Sequence, residues 1–212
     1  MTAPVVFDLD GTLVLSEHVH RRTWFRFFDE WDARIDEGTY RNRFVGRRAA
    51  DVLPEVDGPW RGTPVEELGR RLAELATGLA DEVRPVPGAV ALLTSLAGRG
   101  HRLAVVTSAR RDYAERVLDR VLGAAPLVEF VVTAGDVTRG KPDPQGYLDA
   151  CARLAADPAD CWGFEDSPSG VAALAAAGFG TIVGVCSTAP AADLLAAGAH
   201  RTVPDLRDQP PV

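Results

Sequence analysis

Lysine is nearly absent from this sequence of 212 residues. The 23 basic residues include a single lysine, Lys141, which leaves 22 arginines. Arginine-rich codon usage would produce such a composition without any functional cause. The alternative is that Lys141 stands where arginine cannot serve, because a compact ammonium and a planar guanidinium are not interchangeable at a tight anion site. Composition alone leaves both explanations open.

An excess of positive charge is also missing. The 30 acidic residues outnumber the basic ones, and the formal net charge is −7 with a pI near 5.1. This balance argues against a protein that binds nucleic acid through a broad basic face. We therefore expect no nucleic-acid partner, although a phosphate ligand held at one local site remains compatible with this charge.

Cysteine is scarce, and its three copies (Cys151, Cys161 and Cys186) form no close pair of the kind that metal sites use. Their odd number argues against a complete disulfide framework. A reduced, cytoplasmic compartment is the simplest interpretation. The first residues contain neither a basic segment nor a long apolar segment, so we expect no signal peptide.

Charge is absent from residues 167–192, a stretch long enough to raise the question of a membrane span, which takes about 20 apolar residues. Gly178 and Gly180 interrupt this stretch. The part before them is rich in alanine, as in a helix, whereas residues 181–186 are rich in β-branched side chains, as in a buried strand. The pattern therefore predicts a helix followed by a strand, and no membrane partner.

Strand and helix patterns alternate along most of the sequence. This alternation predicts an α/β protein with a Rossmann-like parallel sheet that is covered by helices on both faces. We expect strands over residues 4–8, 102–107, 130–133, 161–164 and 181–186, with an edge strand over 201–203. Helices are expected over residues 89–97, 110–122, 144–154, 169–177 and 191–197.

A block of purely helical pattern separates the first strand from the others. It comprises expected helices over residues 17–31, 39–45, 47–53 and 64–80, and a loop rich in Pro and Gly over 54–64. We therefore expect an α/β core domain formed by residues 1–14 and 83–212. The all-helical domain of residues 15–82 would be inserted into it.

Polar motifs follow the strands at the sheet edge where open parallel sheets bind ligands. Each has a structural explanation of its own, such as a helix cap, a solvated pair of acids or a surface loop. Together they supply pairs of acids, hydroxyl groups and one ammonium, a set that suits phosphoryl transfer to a carboxylate with a hard divalent cation such as Mg²⁺. The motifs are Asp8-Leu9-Asp10-Gly11-Thr12, Thr107-Ser108, Gly140-Lys141-Pro142 and Glu165-Asp166-Ser167.

The order of these motifs resembles the phosphatase branch of the haloacid dehalogenase superfamily, over essentially the whole chain. The resemblance implies that Asp8 is the nucleophile and forms an aspartyl-phosphate. It implies that Asp10 is the general acid for the leaving group and then the base for water. The implied Mg²⁺ ligands are Asp8, the backbone carbonyl of Asp10, Asp166, and Glu165 through a water molecule.

The same resemblance implies a phosphate-binding set and a mobile cap. Thr107, the Ser108 N–H and Lys141 would hold the phosphate oxygens. The helical insertion would close over the substrate and exclude water. Because a capped fold of this size can act alone, we expect a monomer.

Two branches of the superfamily compete for the closest resemblance, the sugar- and polyol-phosphate phosphatases and β-phosphoglucomutase. Both share a histidine at the position of His20. The segment Gly46-Arg47-Arg48 is closer to the Gly-x-Arg pattern of the phosphatases than to the Gly-x-Ser-Arg of the mutase, and Thr12 also fits the phosphatases. We therefore expect a Mg²⁺-dependent phosphatase of a small sugar or polyol phosphate. His20, Arg47 and Arg48 are the candidate substrate contacts in the cap, although a surface histidine and a solvated basic pair would look the same.

Two alternatives remain at this point. A phosphomutase would isomerise a hexose phosphate instead of releasing phosphate. A phospho-accepting signalling switch, such as a receiver domain, also uses an acid cluster, a hydroxyl and a lysine, but lacks the Asp-x-Asp-Gly-Thr order and the long helical insertion.

Overall fold

The structure, a computed structural model, describes residues 2–76 and 82–207. Within these ranges, a six-stranded parallel sheet has the strand order β5-β4-β1-β6-β7-β8, and β2 and β3 form a separate antiparallel ribbon. The strands are β1 (Val5–Phe7), β2 (Val14–Leu15), β3 (Arg84–Pro85), β4 (Leu103–Val106), β5 (Phe130–Val132), β6 (Trp162–Glu165), β7 (Thr181–Val185) and β8 (Arg201–Val203).

The helices divide between the sheet and the insertion, as the sequence predicted. We call the first four the helical insertion. The helices are α1 (Glu17–Glu30), α2 (Glu37–Arg43), α3 (Ala49–Glu55), α4 (Val65–Ala76), α5 (Ala89–Gly98), α6 (Arg111–Arg116), α7 (Gln145–Arg153), α8 (Pro168–Ala177) and α9 (Ala191–Ala196). Residues 77–80 of the predicted fourth helix lie outside the described residues. No helix in the described ranges is both long enough and apolar enough to span a membrane.

The strands are short apolar runs because both faces of the sheet are covered. In β1, Val5 and Phe7 join the apolar cluster that includes side chains of α5 and α6, whereas Val6 joins the cluster on α7, α8 and α9. Phe7 lies opposite Phe164 of β6, and their rings stack with centroids 4.8 Å apart. This central position of β1 puts its carboxyl end between the ends of β4 and β6, which confirms the predicted α/β fold.

The predicted helix over residues 110–122 is interrupted. The α-helix ends at Arg116, and a turn of π-helix follows over Val117–Val121. The N–H of Leu122 donates to the carbonyl of Val117, five residues earlier, at 3.0 Å. Val117, Leu118 and Leu122 are all buried in the cluster beneath the sheet, so the wider turn keeps apolar side chains on the covered face.

The helical insertion packs around a buried cluster in which, among the described residues, aromatic side chains outnumber aliphatic ones. Trp24 stacks on Phe28, and Phe44 contacts both rings edge-on. Trp60 is buried among them and donates its indole N–H to the carbonyl of Leu53 at 3.0 Å. Trp60 lies in the segment that the sequence predicted as a loop, so that segment contributes to the apolar core of the insertion.

The antiparallel ribbon of β2 and β3 lies where the chain enters the helical insertion and where it returns to the core. The sequence did not predict this ribbon. Val14 pairs with Pro85 and Leu15 with Arg84. A tight turn precedes it, in which the N–H of Gly11 donates to the carbonyl of Val14 at 2.7 Å. The ribbon lies at the predicted boundary after residue 14 and holds the start of α1 beside the end of β1.

Candidate active site

Asp8 and Lys141 form the buried centre of the strand-end cluster. Asp8 follows β1, and its N–H donates to the carbonyl of Phe164 at 2.9 Å. The Lys141 ammonium donates to Asp8 Oδ1 at 2.5 Å, to Glu165 Oε1 at 2.6 Å and to the carbonyl of Val106 at 3.3 Å. Because both side chains are about 5% exposed, the single lysine of the chain is a buried ion-pair partner and not a surface cation.

Glu165 is bound at both carboxylate oxygens. Its Oε2 accepts the N–H groups of Asp166 and Ser167 and the Ser167 hydroxyl, each at 2.9 Å. Its Oε1 accepts from Lys141 and from the Tyr147 hydroxyl, the latter at 3.1 Å. This carboxylate therefore ties the start of α8 to the lysine. A Cβ added to Gly170 would lie 1.6 Å from Oε1, so this position of α8 requires glycine.

Asp166 completes a cluster of buried carboxylates. Carboxylate oxygens of Asp8, Glu165 and Asp166 lie within 4.8 Å of one another, and the Thr12 hydroxyl donates to Asp166 Oδ1 at 3.2 Å. A Cβ on Gly11, whose φ is +92°, would lie 1.9 Å from Asp166 Oδ2. The Asp-Gly-Thr segment thus has a glycine because its backbone passes directly against this carboxylate.

The carboxylate cluster fits a divalent cation. Burial raises the pKa of Asp166 well above its usual value, and the neighbouring acids raise it further. Burial also raises the pKa of Asp8 to about 7, in spite of Lys141, with Glu165 and Asp10 adding to the rise. Asp8 Oδ2 is buried without a hydrogen-bond partner. A cation with a preference for oxygen ligands, such as Mg²⁺, would neutralise this excess of negative charge.

The oxygens of Glu165 are occupied by N–H and O–H donors, so Asp8 and Asp166 are the better placed direct ligands for such a cation. This arrangement agrees with the expectation that Glu165 acts through a water molecule. The ligand roles of Asp8, Asp166, Glu165 and the Asp10 carbonyl all remain predictions.

Asp10 is oriented by donors that meet at one oxygen. Asp10 Oδ1 accepts from the Ser16 hydroxyl at 2.7 Å and from the Tyr113 hydroxyl at 2.8 Å, and His20 Nε2 lies 3.0 Å from it. Burial favours the neutral carboxyl, but His20 and these hydrogen bonds hold the pKa of Asp10 below its usual value. Burial opposes protonation of His20, and the Asp10 charge outweighs it and raises the pKa of the imidazole.

The predicted phosphate-binding residues are brought together at the end of β4. Thr107, Ser108 and Lys141 line one small pocket. Thr107 is buried, its N–H donates to the carbonyl of Val132, and its hydroxyl accepts from the N–H of Ala109 at 3.0 Å. The Ser108 hydroxyl donates to the carbonyl of Gly46 in the helical insertion at 3.1 Å. Their contact with phosphate remains a prediction.

A cavity of about 360 Å³ lies between this sheet edge and the helical insertion. The sheet side contributes acids and hydroxyls, and the insertion contributes both apolar and polar side chains. Glu17 and Tyr40 form a polar spot within it, since the Tyr40 hydroxyl donates to Glu17 Oε1 at 2.8 Å. The residues that line the cavity include Asp8, Asp10, Glu17, Val19, His20, Trp24, Tyr40, Phe44, Arg47, Arg48, Leu72, Thr107, Ser108, Tyr113, Arg116 and Asp166.

The predicted substrate contacts of the insertion line this cavity but have protein partners already. His20 contacts Asp10. The Arg47 guanidinium makes paired hydrogen bonds with Glu55, each 2.8 Å long. Arg48 makes the same kind of pair with Asp51, at 2.6 Å for both bonds. The notion of a solvated basic pair is therefore wrong for these arginines, and substrate contact remains a prediction for all three side chains.

Arg48 also connects the insertion to the core. Its guanidinium donates to the carbonyls of Ala134, Val137 and Thr138 at 3.2, 2.9 and 3.0 Å. These carbonyls belong to the segment between β5 and Lys141. Arg48 is about 9% exposed, so the contact is a buried one.

Several polar side chains of the site were missed by the sequence analysis. A signal existed for two of them: Tyr113 and Tyr147 are each the third residue of a helix that follows a strand-end motif. No comparable signal marked the others, because their positions depend on how the insertion packs. The missed residues are Ser16, Glu17, Tyr40, Tyr113 and Tyr147.

Known proteins are similar to this chain in sequence and in fold. A family model described as haloacid dehalogenase-like hydrolase matches residues 5–178. Validoxylamine A 7'-phosphate phosphatase of Streptomyces hygroscopicus subsp. limoneus is 42% identical over 177 residues, which span 82% of this chain and 81% of that protein. A β-phosphoglucomutase of Mycobacterium bovis is 31% identical over 238 aligned positions, spanning 96% of this chain and 89% of the mutase. The crystal structure of a hydrolase from Pseudomonas syringae matches with a TM-score of 0.83 and 26% identity, over 97% of this chain and 94% of that one.

Proposed function

This chain belongs to the haloacid dehalogenase-like hydrolases and is an enzyme, and we propose that it is a Mg²⁺-dependent phosphatase of a small sugar or polyol phosphate. The observation that carries the proposal is the position of Asp8. This buried carboxylate is paired with Lys141, belongs to a carboxylate cluster that fits a cation, and shares a cavity with Asp10. The relative named validoxylamine A 7'-phosphate phosphatase supports a phosphorylated small-molecule substrate.

In the proposed first step, the Asp8 carboxylate attacks phosphorus and forms an aspartyl-phosphate. The bond between phosphorus and the substrate oxygen breaks, and that oxygen leaves with its electron pair. Asp10, which must first take up a proton because the neighbouring donors hold its pKa below the usual value, donates that proton to it, so the product is a neutral alcohol. Lys141, Thr107 and the Ser108 N–H hold the non-bridging phosphate oxygens during this displacement.

In the second step, water attacks the phosphorus of the aspartyl-phosphate. The Asp10 carboxylate, ionised after the first step, accepts a proton from this water. The bond between phosphorus and the Asp8 oxygen breaks, and its electron pair returns to the carboxylate. Inorganic phosphate leaves and both aspartates regain their starting states.

Asp8 and Asp166 would hold the Mg²⁺ ion, with Glu165 behind them. When bound, the cation supplies positive charge that lets an anionic carboxylate approach an anionic phosphate. The protein side chains supply the rest: Lys141 neutralises Asp8, and Glu165 fixes the lysine.

We further propose that residues 15–82 act as a cap that excludes water from the cavity, with residues 1–14 and 83–212 as the catalytic core. The aromatic cluster of the insertion, distinct from the apolar clusters on the sheet, supports this division. His20, Arg47 and Arg48 are the proposed cap-side substrate contacts. A monomer in the cytoplasm remains part of the proposal.

Phosphate release from a panel of phosphorylated sugars, polyols and glycolate, with and without Mg²⁺, tests the function. We expect Mg²⁺-dependent release from at least one monoester. Asp8→Asn should lower turnover by at least about a thousandfold, roughly 4 kcal/mol in the barrier, while circular dichroism shows an intact fold. Absence of turnover on every monoester would refute the proposal, and an active Asp8→Asn variant would place the nucleophile elsewhere.

The similarity to a β-phosphoglucomutase makes a phosphomutase the second candidate function. A mutase predicts isomerisation of a hexose 1-phosphate, stimulated by a hexose bisphosphate, with little free phosphate. Such an enzyme must bind a second phosphate. Arg47 and Arg48 are the candidate cations for that phosphate on the insertion side of the cavity, but they are already paired with Glu55 and Asp51. This pairing favours the phosphatase.

A further inference from the structure

Tyr113 occupies a place in the site that the motifs do not account for. It lies on α6, a core helix, and it is half-buried against the apolar cluster beneath the sheet. Its hydroxyl donates to Asp10 Oδ1 at 2.8 Å. Its ring also meets the His20 ring edge-on, with centroids 6.1 Å apart and an interplanar angle of 64°.

The donors around Asp10 come from different parts of the chain. Ser16 lies just before α1 and His20 lies on α1, so both belong to the segment that enters the helical insertion. Tyr113 approaches from the sheet side. Among the described residues, Tyr113 is the donor to Asp10 that follows the β4 strand end, where the phosphate-binding residues also lie.

All of these donors use the same carboxylate oxygen. A carboxylate oxygen offers about two lone-pair positions, so Oδ1 is saturated by Ser16, His20 and Tyr113. No hydrogen bond from another described residue to Oδ2 is present. The proton that Asp10 transfers must therefore reside on Oδ2, and the direction of Oδ2 depends on the donors that fix Oδ1.

We propose that Tyr113 is a positioning residue that orients Asp10 for proton transfer to the leaving oxygen. This inference rests on the proposed function, since it assigns Tyr113 to the general acid of that reaction. Tyr113 acts through Asp10 and needs no contact with the substrate. Its hydroxyl keeps Oδ2 directed toward the leaving group from the core side, whereas Ser16 and His20 do so from the insertion side.

The experiment compares two leaving groups in the Tyr113→Phe variant. Protonation by a general acid matters most when the leaving alcohol is a poor leaving group, and it matters little for 4-nitrophenyl phosphate, whose phenolate leaves readily. The second substrate is the best alkyl monoester from the phosphate-release panel. The parameter compared is kcat/KM, because it reports the steps up to departure of the alcohol and not the later hydrolysis of the aspartyl-phosphate, which both substrates share. We expect kcat/KM for the alkyl monoester to fall about tenfold, because a misplaced catalytic group loses much of its effect. For 4-nitrophenyl phosphate, kcat/KM should change less than about twofold.

Tyr40→Phe is the matched control, because it removes the same hydroxyl from the cavity, where it donates to Glu17 and not to Asp10. This variant should change kcat/KM for both substrates by the same factor. Thermal unfolding of each variant checks that the fold is retained.

The outcomes separate the two proposals. A wild-type enzyme that hydrolyses both substrates, with a Tyr113→Phe variant that lowers kcat/KM for both equally or for neither, would overturn the positioning role and leave the phosphatase intact. An alkyl-specific loss that Tyr40→Phe reproduces would overturn it as well. A wild-type enzyme that releases phosphate from no monoester would overturn the proposed function and this inference with it.

Discussion

The sheet edge and the helical insertion each hold a buried cation, but for different purposes. Lys141 at the sheet edge is paired with Asp8 and Glu165, groups that belong to the proposed reaction centre. Arg48 in the insertion is paired with Asp51 and with backbone carbonyls of the core. The compact ammonium of Lys141 fits between two carboxylates. The planar guanidinium of Arg48 makes two hydrogen bonds with one carboxylate and also donates to several backbone carbonyls.

This difference explains why the sequence predicted the sheet edge better than the helical insertion. At the sheet edge, topology alone brings the ends of β1, β4 and β6 together, so a polar motif after each strand had to join the same site. In the insertion, the neighbours of a side chain depend on how an aromatic cluster packs, and the spacing of residues does not reveal that packing. Substitutions at the sheet edge and in the insertion test this difference.

The largest effect on stability is expected at Gly170 of α8. In Gly170→Ala, the new Cβ would collide with Glu165, a buried carboxylate that is bound on both sides and has no room to move. We expect a loss of about 1–3 kcal/mol in the free energy of unfolding, the usual range for overpacking a core. Urea denaturation measures it, and turnover should fall as well because Glu165 holds Lys141. A variant as stable as the wild type would show that the network is looser than described.

Lys141→Arg tests whether the single lysine is special. The longer planar head cannot fit between Asp8 and Glu165 at the distances of the ammonium, so kcat should fall at least tenfold, roughly 1.4 kcal/mol in the barrier. Arg120→Lys is the matched control, because Arg120 is exposed and pairs with Asp119 at the surface. Wild-type turnover in Lys141→Arg would mean that codon usage alone accounts for the scarcity of lysine.

Arg48 and Arg43 provide a smaller and more local test in the insertion. Arg48→Ala removes hydrogen bonds to the core segment before Lys141, and kcat/KM for the best sugar phosphate should fall about tenfold as closure over the site weakens. Arg43 is an exposed residue of α2 that pairs with Glu55 and does not line the cavity, so Arg43→Ala should lower kcat/KM about twofold or less. Equal losses, or a larger loss for Arg43→Ala, would contradict the link between Arg48 and the core.

The smallest effect is expected at Gly69, on α4 of the insertion. A Cβ at this position meets no atom within 4 Å, in contrast to Gly170. Gly69→Ala should therefore raise the free energy of unfolding by about 0.5–1 kcal/mol, because alanine is the better helix former. Denaturant titration beside Gly170→Ala gives the direct comparison, and destabilisation by Gly69→Ala would show that α4 is more tightly packed than described.

Much of the fold and the core of the site could be predicted from the sequence. The alternation of apolar runs with helical patterns predicted the parallel sheet that the structure contains. The family resemblance is confirmed by the matches to known proteins. The structure brings Asp8, Lys141 and Asp166 together as their strand-end positions predicted. Whether each performs its predicted role is still to be measured.

The remainder could not be predicted for physical reasons. Trp60 lies in a segment rich in Pro and Gly, yet it is buried because neighbouring aromatic rings surround it. The ribbon of β2 and β3 comprises two residues on each side, too few for any periodic pattern. Tyr113 contacts Asp10 across 103 positions of the chain, a distance that only the folded sheet closes.

The central claim is that Asp8 carries the phosphoryl group during turnover. It is tested most directly by quenching the enzyme in acid during steady-state hydrolysis of its best sugar phosphate and locating the phosphoryl group by peptide mass spectrometry. The account predicts an acyl phosphate on the peptide that contains Asp8, and its absence from the Asp8→Asn variant treated in the same way. A phosphoryl group on another side chain of the active enzyme would contradict it.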